Sequence, residues 1–212
     1  IHPRVYALDR SNQWVPASDP IHFDKPIAAV GPGLSFGKVL ADLDPTIRVG
    51  LIPCAVGGSP ISTWEPGGYW EQTDSKPYDD ALERTHIAQQ SGVLKGMLWH
   101  QGESDSNEND AALYLDRLEA LIARLRTELD TPDGPFVAAT LGDFVVSRNG
   151  WAQVVNDALL KLPQRVNRTA CVEAAGLEHN GDNLHFDSAS AHELGRRYAK
   201  ALIQIQGVGG ST

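Results

Sequence analysis

The segment Met97-Leu98-Trp99-His100-Gln101-Gly102-Glu103-Ser104-Asp105 joins an apolar run to a cluster of polar side chains. The apolar residues 92–99 predict a buried strand. The chain then breaks at a glycine into His, Gln, Glu, Ser and Asp. In open α/β sheets, a strand that ends in proton-handling groups is typical of the edge where an active site is built. The segment therefore predicts both an α/β fold and the place of a functional site.

Outward from this segment, strand-like and helix-like stretches alternate, which favours a mostly parallel sheet covered by helices on both faces. Strands are predicted over residues 4–8, 48–55, 93–99, 136–141 and 169–174, and helices over 34–43, 77–90, 107–129, 151–162 and 189–206. The helix over 107–129 is the clearest, because its leucines recur at spacings of three and four. We therefore expect one domain over residues 1–206 and a flexible tail over 207–212.

The overall charge bears on the class of partner. The 212 residues carry a net charge of −9, and the isoelectric point is about 5.2. Nucleic acids and anionic membranes both need a basic footprint, so neither is expected as a partner. No apolar run reaches the ~18 residues of a membrane helix. This net negative charge is compatible with a neutral substrate such as a sugar or an ester.

Neither the N-terminal residues nor the cysteines decide between a secreted and a cytoplasmic protein. No signal peptide is visible, and the first four residues do not resemble a natural start, so we expect a leader or a longer N-terminus to have preceded them. Cys54 and Cys171 both lie in apolar, strand-like stretches. We expect two buried free thiols here in place of a disulfide.

His185 is the first candidate for acid–base chemistry. Asp182 precedes it by three residues, a spacing that lets a carboxylate accept the imidazole Nδ1–H within one turn of loop. The other ring nitrogen is then free to take a proton from a nucleophile. The alternative is a surface histidine beside residues that cap the next helix.

Glu103 is the second candidate, because it follows the end of a buried strand. It could orient His185 in place of Asp182 or together with it. The alternative is a solvated acid before the following helix. His100 and Gln101 stand beside Glu103, and three adjacent hydrogen-bonding side chains at a strand end favour a functional role, in which His100 contacts substrate.

The turn Cys54-Ala55-Val56-Gly57-Gly58-Ser59 is the third candidate. Glycines after a strand allow backbone N–H groups to point into a cleft and to bind an oxyanion. Gly57 is the expected donor, and the Gln101 side-chain amide could supply another. Gly58 and Ser59 are then placed for substrate contacts, although a plain tight turn is the alternative for the glycines and a backbone brace for Ser59.

The long loop over residues 57–76 contains aromatic side chains. Trp64, Tyr69 and Trp70 could stack on a sugar ring or could cover the core. We take Trp64 as a candidate substrate contact. A catalytic metal is not expected, because no paired His or Cys spacing of the zinc type is present.

Together these motifs resemble the SGNH hydrolases, and in particular the sialate-O-acetylesterase-like branch that includes carbohydrate esterase family six, the acetylxylan esterases. The family's Trp-His-Gln-Gly-Glu motif corresponds to the run that starts at Trp99, its Pro-Cys-x-x-Gly-Gly turn to the run that starts at Pro53, and its Asp-x-x-His block to Asp182 and His185. The run 30–33, Val-Gly-Pro-Gly, and Trp64 also match. The similarity extends over about residues 4–201.

The resemblance implies a three-layer, flavodoxin-like fold and a serine esterase that removes acetyl groups from carbohydrates such as xylan without a cofactor. It implies His185 as general base with Glu103 or Asp182 as its partner, and an oxyanion hole made from the Gly57 N–H and the Gln101 side chain. A nucleophilic serine would add its own N–H.

The family's nucleophile lies in a Gly-Gln-Ser-Asn block on the first strand, and this sequence contains no Gly-Gln-Ser. Ser11-Asn12 has the dipeptide but falls at a peripheral turn, and neither Ser59 nor Ser104 is placed by sequence to meet the base. In a flavodoxin-like sheet, absence of that strand would leave two unpaired strand edges and a groove in the core.

Three explanations stay open for the missing block. The first is an N-terminal segment that carries it, the second a circularly permuted segment or a second chain that supplies it, and the third another segment that fills the gap in a protein that is inactive or uses different chemistry. The leading functional expectation is a carbohydrate O-acetylesterase. The alternatives are a non-catalytic carbohydrate-binding domain that lost its serine and, ranked below it, an esterase for longer acyl chains.

Overall fold

The computed structural model describes residues 1–207. The strands form two three-stranded parts, and helices pack on both faces. The strands are β1 (Val5–Leu8), β2 (Trp14–Pro16), β3 (Val49–Leu51), β4 (Met97–Trp99), β5 (Phe136–Ala139) and β6 (Thr169–Val172). The α-helices are α1 (Gly33–Leu43), α2 (Pro77–Gln89), α3 (Tyr114–Glu128), α4 (Asp143–Val146), α5 (Gly150–Arg165) and α6 (Ser188–Gly207). The α/β class and the parallel, three-layer arrangement predicted from sequence are confirmed.

The first part of the sheet has the order β2-β1-β3. β1 pairs with β3 in parallel and with β2 antiparallel. The β1–β2 turn is stabilised by Asp9, whose carboxylate accepts the N–H groups of Ser11 and Gln13. β2 was not predicted from sequence, because its three residues are all exposed and show no buried face.

The second part has the order β4-β5-β6, with all strands parallel. Successive side chains of a strand point to opposite faces. Phe136 and Ala138 accordingly join the apolar cluster under α3 and α5, whereas Val137 and Ala139 join the cluster under α1 and α6. Because β5 is buried on both faces, it reads as a continuous apolar run.

The two helical layers differ in how closely their helices approach. α1 and α6 pack on one face, where the Ser35 hydroxyl donates to the His192 carbonyl. A Cβ added at Gly195 would lie 2.1 Å from the Pro32 carbonyl oxygen, so only glycine permits this approach. On the opposite face, Leu118, Leu121 and other apolar residues of α3 pack under α5 with 0% exposure.

β3 and β4 are each the last strand of their part, and no strand within residues 1–207 pairs with either outer edge. Between them lies a groove of ≈ 2280 Å³, bounded by Val49–Leu51 on one side and Met97–Trp99 on the other. We refer to it as the central groove. It matches the two unpaired edges expected for a sheet of this type without its central strand.

All five predicted strands extend beyond the observed strands, with the largest differences at β3 and β4, and the helix predicted over 107–129 extends beyond α3. Residues 52–55 and 92–96 lie outside β3 and β4, since Pro53 has no N–H to donate and each segment borders the central groove. The helix predicted from residue 107 begins only at Tyr114, because the Asn107 side chain accepts the N–H groups of Asn109 and Asp110 and holds a non-helical turn.

At the C-terminus, α6 continues through Gly207, which was predicted to start the tail. Residues 208–212, the rest of that tail, lie outside the described residues. Cys54 and Cys171 are free, as predicted, and both are half-buried. No described helix is both long and apolar enough to cross a membrane.

Candidate active site

The nine residues that the sequence singled out all line the central groove, at the end towards which β3 and β4 run. They are Gly57, Gly58, Ser59, Trp64, His100, Gln101, Glu103, Asp182 and His185. Three clusters that are far apart in sequence therefore meet at one edge of the sheet, as expected for the carboxyl ends of parallel strands.

His185 and Asp182 form a hydrogen-bonded pair within one loop. The His185 Nδ1 lies 2.6 Å from Asp182 Oδ2, and Asp182 Oδ1 accepts the backbone N–H groups of Leu184 and His185. The hydrogen bond from the His185 backbone N–H contributes most, and the one from its ring contributes next, to a pKa of the Asp182 carboxyl far below its usual range. The carboxylate is therefore charged at any working pH and fixes the ring with Nε2 directed away from it.

The loop that carries this pair is shaped by short-range contacts. Asn183 has a positive φ of 59°, and His179 accepts the N–H groups of Gly181 and Asn183. Phe186 packs against the His100 ring at 5.4 Å between centroids, which couples the loop to the end of β4.

Glu103 contacts His100 and not His185. Its Oε1 lies 4.0 Å from His100 Nε2, whereas Asp182 alone among residues 1–207 pairs with the His185 ring. Of the two acids left open by the sequence, Asp182 is the one that contacts His185. Burial lowers the pKa of His100, against the opposing charge of Glu103, so His100 is neutral near pH 7.

The Gln101 side chain is engaged inside the protein. Its amide nitrogen donates to the Ser59 carbonyl at 3.1 Å and to Asp105 Oδ2 at 2.6 Å, and its Oε1 lies 3.0 Å from the Tyr114 hydroxyl. Both amide hydrogens are therefore used. In this structure Gln101 braces the turn after β4 against the Ser59 backbone, and its donation to an oxyanion stays a prediction.

Asp105 and Tyr114 complete this network and were not predicted from sequence. Asp105 has 0% exposure and also accepts the Ile61 N–H at 2.9 Å. Burial raises the pKa of its carboxyl, opposed by the hydrogen bond from Gln101. The Tyr114 hydroxyl accepts the Trp99 indole N–H at 3.0 Å. The apolar spacing of the helix predicts Tyr114 only as a core residue. Nothing in the sequence predicts the hydrogen bonds of its hydroxyl.

Gly57 presents its N–H to an anionic oxygen, because Asp24 Oδ2 accepts it at 2.8 Å. Asp24 lies on the proline-rich loop before α1, and nothing in its local sequence indicates this contact. A carboxylate oxygen resembles the oxyanion of a tetrahedral intermediate in charge and size. The Gly57 N–H is thus directed at a charged oxygen acceptor, and its donation to an oxyanion stays a prediction.

Ser59 and Trp64 are buried, with 1% and 7% exposure. The Trp64 indole N–H donates to the Ser59 hydroxyl at 3.0 Å, and that hydroxyl donates to the Val56 carbonyl at 2.8 Å. The Trp64 ring packs edge-on against Trp99 with 5.0 Å between centroids. Both residues thus brace the glycine turn, which is the alternative given for Ser59 from sequence; their role as substrate contacts stays a prediction.

The serines near the site do not reach the base. Among residues 1–207, no serine hydroxyl hydrogen-bonds to His185. The Ser104 hydroxyl donates to the Gly58 carbonyl at 2.8 Å, and the Ser59 hydroxyl donates to the Val56 carbonyl. Ser11 lies at the β1–β2 turn. The described residues also contain no group of three or more His, Cys, Asp or Glu side chains suited to a metal ion.

Comparisons with known proteins agree with this architecture. The model of the family "carbohydrate esterase, sialic acid-specific acetylesterase" matches residues 1–204. A probable carbohydrate esterase of Arabidopsis thaliana, At4g34215, is 31% identical over 207 residues, which cover 94% of this chain and 74% of that protein. The crystal structure of a protein of the same designation superposes with a TM-score of 0.85, at 31% identity, over 96% of this chain and 82% of the other.

Two further structures share the fold. NanS gives a TM-score of 0.82 at 18% identity, covering 98% of this chain and 89% of its own. XAC1771, a carbohydrate acetylesterase from Xanthomonas citri, gives 0.72 at 19% identity, covering 98% of this chain and 49% of its own. By the match of its sequence, the chain belongs to the sialic acid-specific acetylesterase family of carbohydrate esterases. It is therefore classed with the carboxylic ester hydrolases.

Proposed function

We propose that this protein removes O-acetyl groups from sugars or polysaccharides such as xylan, with His185 as the general base. The observation that carries the proposal is the 2.6 Å pair of His185 Nδ1 and Asp182 in the wall of the groove that also contains Gly57. Such a pair fixes the tautomer and stabilises the imidazolium that forms when Nε2 takes a proton. Asp182 is the positioning acid in this proposal, and Glu103 acts through His100.

The reaction proceeds through an acetyl-enzyme. His185 Nε2 takes the proton of a serine hydroxyl as its oxygen bonds to the acetyl carbon, and the carbonyl oxygen gains negative charge beside the Gly57 N–H. The sugar oxygen leaves with the proton that His185 returns. Water then attacks the acetyl carbon with the same base, releasing acetate and restoring the serine. These steps consume one water and need no cofactor.

The substrate side of the groove fits a neutral sugar. Gly58 adjoins Gly57, and an atom added at its Cβ position would lie 3.5 Å from Gln72 Oε1 and from Lys25 Nζ and 3.9 Å from Trp70. The amide and ammonium groups are hydrogen-bonding partners for sugar hydroxyls, and the indole is a candidate stacking surface. His100, neutral and with Nδ1 buried and unpartnered within the described residues, is a further candidate for substrate contact.

The serine is the component that residues 1–207 do not bring to His185. The proposal therefore includes a serine from outside these residues. The proposed partner is an acetylated carbohydrate, because the net charge of −9 disfavours nucleic acid and anionic membrane.

The test is acetate release from acetylated xylan and from 4-nitrophenyl acetate by the protein expressed from its native gene. We expect turnover that falls by roughly 10²–10⁴-fold in His185→Ala. His192→Ala is the matched control, because His192 also pairs with a carboxylate, Asp19, at 2.9 Å but does not line the groove. Sugar binding without acetate release from any substrate would favour the non-catalytic alternative, and equal losses in both variants would remove His185 from the mechanism.

A further inference from the structure

A second cavity lies beside the central groove, between the residues that follow β1 and those that follow β3. It encloses ≈ 310 Å³, and pockets for small ligands typically enclose about 300–1,000 Å³. We refer to it as the side cavity. Asp24 lines both the side cavity and the central groove, and its Oδ2 accepts the Gly57 N–H at 2.8 Å. One side chain thus borders both the side cavity and the Gly57 donor.

The wall of the side cavity is held together by Arg84 of α2. Its guanidinium donates to the carbonyls of Leu8 and Pro53, at 2.7 and 3.0 Å, and to Asn12 Oδ1 at 2.7 Å. It also lies 4.8 Å from the centroid of the Phe23 ring. These contacts join α2 to the ends of β1 and β3. The side cavity is therefore formed without a ligand, which lowers the cost of ordering when one binds.

Two side chains of the side cavity have polar groups without a partner among residues 1–207. His22 Nδ1 is buried and accepts or donates no hydrogen bond there. Asn12 uses its carbonyl oxygen on Arg84, and its NH2 group makes no hydrogen bond within the same residues. A polar group that lacks a partner costs free energy when it is buried. These groups therefore favour a ligand that offers hydrogen bonds.

Charged side chains of both signs line the side cavity, namely Arg10, Arg84, Asp24, Asp80 and Glu83. An anionic ligand would meet the carboxylates and a cationic ligand the guanidiniums, so neither is favoured. Burial lowers the pKa of His22, against the opposing charges of Asp24 and Asp19, and the ring adds no charge near pH 7. A neutral ligand with several hydroxyl groups can donate to the carboxylates and accept from the other groups at once. Sugars have this chemistry.

The loop over residues 70–75 borders both the acetyl site and the side cavity. Trp70 lies beside Gly58, 3.9 Å from an atom added at its Cβ position, and Ser75 lines the side cavity. The backbones of Trp70 and Ser75 exchange two hydrogen bonds, of 2.8 and 3.3 Å. Two adjacent sugar rings, one beside Trp70 and the next in the side cavity, would therefore contact the same braced loop.

We propose that the side cavity binds the sugar unit next to the acetylated one, so that the preferred substrates are neutral oligosaccharides. The inference rests on the proposed function for the acetylated unit. A hydroxyl of the neighbouring unit donates to Asp24, whose carboxylate then leaves the Gly57 N–H to the oxyanion. Binding of the second unit thus acts at the reacting centre, and a substrate without it loses kcat as well as affinity.

The first experiment measures binding without hydrolysis. The protein expressed from its native gene is titrated with xylotriose and with xylose, neither of them acetylated, and followed by nuclear magnetic resonance. We expect xylotriose to shift the side-chain NH2 resonances of Asn12 and the ring resonances of His22. Xylose should do so only at roughly tenfold higher concentration or above. His86, which lines neither cavity, is the reference and should not shift.

The second experiment compares kcat/KM for acetylated xylotriose with that for acetylated xylose. We expect a ratio of roughly tenfold or more in the unaltered protein. His22→Phe keeps an aromatic ring and removes the nitrogens, so it should lower the ratio by roughly threefold or more, the loss of one hydrogen bond. Asp24→Ala should also lower the ratio, but by raising the value for acetylated xylose. His86→Phe is the matched control and should leave the ratio as it is.

The outcomes separate this inference from the proposed function. Shifts at Asn12 and His22 with xylotriose, together with a ratio that falls in His22→Phe and not in His86→Phe, support the side cavity as a sugar site. Acetate release without those shifts, or with the same ratio in both His→Phe variants, overturns it and retains the proposed function. Shifts without acetate release from any substrate retain the sugar site and count against the esterase. The titration needs no variant, so its result stands even where a variant does not fold.

Discussion

At the residue scale, Asp182 determines how His185 can act. It contacts His185 through both of its carboxylate oxygens, one on the ring and one on the backbone N–H. Glu103 lies near the end of β4 and meets His100 at 4.0 Å. The two acids therefore have different effects on the base, although the sequence motif gives Glu103 at least equal weight.

Replacing each acid by its amide distinguishes them. We expect Asp182→Asn to lower kcat/KM for an acetyl ester by roughly 10²–10⁴-fold, since an amide favours the wrong imidazole tautomer. Glu103→Gln should lower it by less than about tenfold. Steady-state kinetics of both variants give the answer. A larger loss in Glu103→Gln would make Glu103 the acid of the site.

Asp24 accepts the Gly57 N–H at 2.8 Å, which is the donor that the proposed mechanism assigns to the substrate oxyanion. We expect Asp24→Ala to raise kcat/KM by roughly three- to tenfold, because one charge-assisted hydrogen bond no longer has to be broken. Inhibition by acetate, whose carboxylate would take the same place, should strengthen in parallel. Thr73→Ala, on the neighbouring loop, is the control; a fall in activity in Asp24→Ala would instead assign Asp24 a supporting role.

At the element scale, the turn between β4 and Glu103 depends on one glycine. Gly102 has a φ of 146°, and a Cβ at this position would lie 2.6 Å from a methyl group of Val155 on α5. The turn is thus pressed against a core helix. This contact fixes the direction in which Glu103 and the Gln101 network leave the sheet.

Substitution of this glycine should therefore be costly. We expect Gly102→Ala to lower the free energy of unfolding by roughly 2–4 kcal/mol, from overpacking and backbone strain. Gly150→Ala is the matched control, because no atom lies within 4 Å of its added Cβ at the start of α5. Urea unfolding measures both. Similar stabilities for the two variants would show that α5 yields to the new methyl group.

At the scale of the whole molecule, burial keeps both cysteines protonated. Desolvation raises the pKa of Cys54 to about 11, against the favourable charge of Arg84, and that of Cys171 to about 12. In the unfolded chain a thiol ionises near about 8.5. Folding thus favours the protonated thiols, and their contribution to stability is complete below that pH.

The free energy of unfolding should accordingly fall as the pH rises from about 9 towards 11, because the unfolded state then binds fewer protons. Urea unfolding at pH 8 and pH 10 tests this, with a Cys54→Ala/Cys171→Ala double variant as the control. The double variant should lose less stability over this range. An identical loss would place the alkaline sensitivity in other groups, such as the buried Tyr114 and Tyr198.

The sequence determined the class of fold and the position of the site. The apolar runs of β5 and α3 are read from local periodicity, which depends only on which face is buried. Asp182 and His185 are three residues apart, so their pairing is a local property of one loop. The convergence of Gly57, His100 and His185 also follows from the sequence, because carboxyl ends of parallel strands share one edge.

Only the tertiary structure decided which polar groups are free. Gln101 and Ser59 have the residue types of substrate contacts, but the Gln101 amide donates to the Ser59 carbonyl, 42 positions away. Nearer partners, Asp105 for Gln101 and Trp64 for Ser59, use their remaining polar groups. The contact of Asp24 with Gly57 spans 33 positions. Likewise, the extents of β3 and β4 are set by pairing on one side and the central groove on the other. Hydrogen bonds between distant segments depend on packing, and local sequence does not record them.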